Sequence, residues 1–100
     1  MNPEEVEVIV VLDVEGLADR AAMEKHLKRE GLRPIEGEPF AYLGQTSTDK
    51  IRTLLYVQDG VKKALHKGGF ASANMMVSIG EYPMETYRFD RVSESFIVQK

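Results

Sequence analysis

From Val6 to Val14 the chain runs nine residues without Gly or Pro, and five in succession, Val8-Ile9-Val10-Val11-Leu12, are apolar. Four of those five are β-branched, which disfavours helix and suits a pleated strand. The run does not alternate, so it predicts a central strand buried on both faces. It is also far too short to cross a bilayer, which takes about 20 apolar residues.

The surrounding sequence narrows the class. Asn2-Pro3-Glu4-Glu5 is polar and acidic where a secretory leader would be basic. The chain has no Cys, which excludes disulfides and thiolate metal sites. A cytoplasmic location without membrane attachment is the expectation. One hundred residues suit one domain, spanning 1–100. The formal net charge of −3 argues against a protein that coats nucleic acid nonspecifically. That charge is unevenly divided, however. Residues 1–19 carry Glu4, Glu5, Glu7, Asp13, Glu15 and Asp19 with no Lys or Arg, whereas the segment 20–79 is net basic. A basic middle is either a solvated surface or a face for phosphate.

Strands and helices alternate along the rest of the chain. Asp19 is a candidate N-cap and Gly31 a candidate C′ residue for a helix whose thin apolar stripe is Met23 and Leu27. Two short strands follow within 33–47, interrupted at Gly37 and kept short or at an edge by Pro34 and Pro39. Residues 48–67 fit one amphipathic helix, capped by Ser47 or Thr48 and ended by Gly68-Gly69, with Gly60 as the objection. The alternative is a strand over 50–58, turned at Asp59-Gly60. Strands are expected at 74–79, continuing over 86–89, and at 95–99. The order is βαββαβ with a C-terminal extra strand. It predicts a ferredoxin-like α+β sandwich, an antiparallel sheet with two helices on one face.

Few residues signal chemistry. His26 and His66 each read as exposed histidines on polar helix faces, without a second ligand at metal spacing. Lys62, Lys63 and Lys67 form either a solvated face or a phosphate-contacting ridge. Tyr87 and Phe89 share one strand face, for core filling or for base stacking. Asp13 ends the apolar strand. It reads either as a strand-end acid or as a carboxylate that meets its copy across a dimer axis to share a divalent cation.

Residues 8–42 resemble the N-terminal half of two related families: the small CRISPR-associated nucleases and integration adaptors, and the virulence-associated protein D toxin endoribonucleases. The resemblance rests on Val10-Val11-Leu12-Asp13-Val14, on a helix placing Arg20 and Leu27 before Gly31, and on the segment from Gly31 to Phe40. Glu36 stands where these families usually carry Gln, and Glu38-Pro39 replaces a small-residue and Val pair. The resemblance implies a homodimer in which a strand such as Ser95 to Gln99 adds to the partner's sheet. It also implies Mg²⁺- or Mn²⁺-dependent cleavage of RNA or DNA. Asp13 then matches the metal-binding catalytic acid and Phe40 the aromatic of the second strand turn. Arg20, Lys62 and Lys63 are the candidate nucleic-acid contacts. Two other classes stay open: a non-catalytic homodimeric interaction module and a small-ligand sensor.

Overall fold

A computed structural model describes residues 5–99. The elements are β1 (Val6–Glu15), α1 (Arg20–Arg29), β2 (Arg33–Pro34), β3 (Ala41–Thr46), α2 (Lys50–Gly68), β4 (Ser72–Ile79), β5 (Glu85–Asp90) and β6 (Ser95–Gln99). They form a small α+β structure with one antiparallel six-stranded sheet, ordered β2-β3-β1-β4-β5-β6. Because β3 lies between β1 and β2 and runs against both, β1 and β2 are parallel to each other.

The apolar run is the central strand β1, flanked by β3 and β4. Its expected burial on both faces is corrected. Val8, Val10 and Leu12 are buried in one core with Met23 and Leu27 of α1 and Val57, Val61 and Leu65 of α2. Ile9 and Val11 point the other way and are only half-buried, and Asp13 on that side is exposed. Both helices pack on one side, so the period-two alternation of the pleat divides the run between a covered and an open face.

Capping residues set the helix limits. Asp19 accepts from the Ala22 N–H at 3.0 Å, as a strong N-cap should. Residues 50–68 form one continuous helix, and its cap is Asp49 rather than Ser47 or Thr48. Asp49 accepts from the Arg52 N–H at 2.8 Å, while Thr48 donates its own N–H to Thr46 Oγ1. Gly69, at φ 71°, closes the helix by returning its N–H to the Leu65 carbonyl.

The chain beyond β4 is a hairpin of two strands, not one extra strand. β5 pairs with β4, and β6 pairs with β5 of its own chain. Tyr87 and Phe89 fill the core under it, which excludes them from stacking on bases. His66 Nε2 lies 2.7 Å from Glu94 Oε1 and ties the hairpin's turn to the last turn of α2. No described helix is long and apolar enough to cross a membrane.

Candidate functional site

The helices run antiparallel: the Asp19 N–H at the start of α1 donates to the Gly68 carbonyl at the end of α2, 2.8 Å away. The other end of α1 therefore meets the first half of α2, and a cleft of about 550 Å³ opens there beside the end of β3. Its floor is apolar, made by Val8, Leu32 and Val57. Close approach of the elements depends on two glycines. A Cβ on Gly44 of β3 would stand 2.9 Å from the Gly31 carbonyl oxygen, and one on Gly60 would stand 3.2 Å from Glu30 Cγ. Gly60, the residue that argued against a helix, is where α2 makes room for the Glu30 stem.

Polar groups line the walls. Thr53 is buried at 4% exposure, and its hydroxyl is 2.9 Å from that of Thr46. The Glu30 carboxylate raises the pKa of the Tyr56 phenol above its usual range, with burial a smaller cause. Behind Glu30, His26 Nε2 is 3.3 Å from Oε1 but lies off the hydrogen-bonding direction. Both ring nitrogens of His26 are buried and lack a hydrogen-bond partner among the described residues. His26 thus departs from the exposed position expected of it, with 13% of its side chain exposed.

The residues singled out in the sequence do not gather here, nor with one another. Asp13 lies on the open face in a cross-strand row with Asn74, Arg88 and Ile97, all exposed. Arg20 is on the helical layer, 3.3 Å from Glu24 Oε2, with its guanidinium 4.0 Å from the Phe40 ring centroid. Glu24 also accepts from the buried Tyr42 hydroxyl at 2.8 Å, so Arg20 is held in a network within the chain. Lys63 pairs with Asp59 at 2.9 Å, and successive residues of a helix diverge by about 100°, so Lys62 and Lys63 form no single ridge.

The donors around Asp13 do not make up a metal site within one protomer. Its cross-strand neighbour is an amide, Asn74, and no group of three or more His, Cys, Asp or Glu is gathered for an ion among the described residues. One carboxylate falls short of the several oxygen ligands that Mg²⁺ or Mn²⁺ requires.

Sequence reasoning placed Glu30 at a helix end and did not connect it to Tyr56 or Thr53. The available signal was glycine inside regular elements, Gly44 in a strand and Gly60 in a helix, which marks close approach by another segment.

No protein-family model matches the chain, and no curated protein matches it. Among solved structures it is similar to the guanylyl cyclase domain of the RhoGC fusion protein from the aquatic fungus Blastocladiella emersonii, a monomeric crystal structure. The identity is 14% and the TM-score 0.40, over 96% of this chain and 67% of that one.

Proposed function

We propose that this chain is a small-molecule-binding module on a ferredoxin-like scaffold. The strand order β2-β3-β1-β4, with a helix after β1 and after β3, supports the scaffold; the β5–β6 hairpin extends it at the β4 edge. One observation carries the binding function: the cleft combines an apolar floor with the converging groups of Glu30, Tyr56 and Thr53. Its volume is within the usual ligand-site range of about 300–1,000 Å³. The test is a fragment screen followed by amide chemical shifts. Binding should move the signals of Gly31, Gly44, Thr53 and Gly60 together. Shifts clustered instead around Asp13, Asn74 and Arg88, or no shifts at all, overturn the proposal.

A metal-dependent endoribonuclease is the second reading, favoured by the exposure of Asp13 on the open face. It needs Asp13 of the partner subunit to complete a cation site. Pairing of two β6 edges does not provide it. Strands lie ~4.8 Å apart, so β6 is about 14 Å from β1, and edge pairing leaves the two carboxylates roughly 30 Å apart. A shared cation therefore requires the two open faces to meet. Incubating RNA with Mg²⁺ and either the wild type or Asp13→Asn tests this reading; equal cleavage by both, or none by either, removes it.

A further inference from the structure

The cleft holds two opposite charges in unequal settings. The Arg52 side chain is 80% exposed at the rim, and its Nε is 3.5 Å from Asp49 Oδ2. Its field is screened by water and partly answered already. The Glu30 side chain is 24% exposed. No Lys or Arg stands within ion-pair distance of it among the described residues; the nearby Lys63 is engaged by Asp59. A carboxylate offers about four acceptor sites, and the Tyr56 hydroxyl can fill at most one. The histidine behind it is not aligned to fill another. A partly buried carboxylate loses hydration, and that loss is offset only by donors or by opposite charge. Glu30 is therefore short of donors, and no Lys or Arg answers its charge; His26, 3.3 Å behind it, does so only when protonated. The Thr46 and Thr53 hydroxyls already bond each other, and the floor beneath offers only apolar contact.

We infer that the cleft takes a cationic amine carried on a compact apolar body, with the ammonium on Glu30 and the body over Val8, Leu32 and Val57. An ammonium supplies the donors that Glu30 lacks and a fixed positive charge, through charge-assisted hydrogen bonds. An anion meets the exposed rim charge of Arg52 and the start of α2, which Asp49 already caps, and is repelled by Glu30. The inference rests on the binding reading above and adds to it the class of ligand.

Three probes of nearly equal shape separate the alternatives: tryptamine (cationic), tryptophol (neutral) and indole-3-acetate (anionic). The chain has no Trp, so indole fluorescence reports the ligand alone. Binding is measured on wild type and on Glu30→Gln, and the amide signals of Gly31, Gly44 and Gly60 locate it. Tryptamine should bind wild type at least 10-fold more tightly than tryptophol, and Glu30→Gln should abolish that preference. The comparison on wild type stands even if the variant folds poorly. Tryptophol or indole-3-acetate binding the same glycines as tightly as tryptamine overturns the charge assignment and leaves the binding reading intact. A variant that folds and keeps the preference for tryptamine also overturns it. Failure of all three probes to move these glycines overturns the charge assignment together with the binding reading.

Discussion

Gly60 lies directly against the stem of Glu30, so that a methyl group on α2 at this point would stand 3.2 Å from Glu30 Cγ and 3.5 Å from its Cβ. One relationship thus joins helix packing to the geometry of the cleft. In Gly60→Ala the helix gains intrinsic propensity, about 1 kcal/mol. The obstructing atoms belong to a half-buried side chain that can shift by a few tenths of an ångström. The propensity should win, giving a variant about 0.5 kcal/mol more stable in urea unfolding. The displaced carboxylate should bind tryptamine less tightly. A variant that is both less stable and unimpaired in binding would contradict this account.

Gly68 presents the opposite case eight residues on. A Cβ there would stand 2.8 Å from the Asp19 carbonyl oxygen, 2.8 Å from Leu17 Cδ1 and 3.1 Å from Met23 Cβ. The Asp19 oxygen is backbone at the helix cap, and Met23 is fully buried. The end of Leu17 can turn aside, but the Asp19 oxygen and the Met23 Cβ cannot yield cheaply. Gly68→Ala should lose about 2 kcal/mol despite its better helix propensity, the usual scale of an overpacked core. The urea midpoints of the two glycine variants should therefore move in opposite directions.

The difference between these glycines shows which parts of the molecule were legible in the sequence. Asp19, Gly31 and the Gly68-Gly69 stop mark helix ends through groups a few residues away, so local chemistry reveals them. The β-branched run likewise identifies β1 as the central strand. It could not reveal that only one face would be covered, because that depends on where α1 and α2 pack. Glu30 and Tyr56 are 26 positions apart, and His66 and Glu94 are 28 apart. Their meetings follow from the antiparallel helix pair and from the hairpin, neither of which leaves a periodic trace. Asp13 stood out for its position after an apolar run, yet that pattern specifies no second ligand.

Tyr42 should dominate the loss of stability at high pH. Its hydroxyl is fully buried and donates to Glu24, and burial first, then the carboxylate, raises its pKa from the usual 10.0. The unfolded chain releases this proton above pH 10 while the folded chain retains it. Stability from this group is complete below pH 10 and is lost as pH rises toward the folded value. The slope is about 1.4 kcal/mol per pH unit per retained proton. Tyr42→Phe should cost about 1 kcal/mol at pH 7 through the lost hydrogen bond. It should also flatten the decline measured between pH 10 and 11.5. An unchanged slope would place the retained proton elsewhere, for instance on Tyr87, whose phenol is also raised by burial.

The two N-caps should contribute independently. Asp19 and Asp49 each accept a single backbone N–H, at 3.0 Å and 2.8 Å. Replacing either by Ala should cost about 1 kcal/mol. Asp19 sits beside Gly68 at the far end of α2 from Asp49, and a rise of 1.5 Å per residue puts the two caps roughly 27 Å apart. They share no partner, so the double variant should equal the sum of the singles within about 0.5 kcal/mol in urea unfolding. The functional effects should differ, because only Asp49 adjoins the cleft. Its loss frees Arg52 and frays the first turn that carries Thr53, so Asp49→Ala should weaken tryptamine binding while Asp19→Ala leaves it unchanged. Equal weakening by both would mean that the cleft responds to helix stability in general rather than to the turn that lines it.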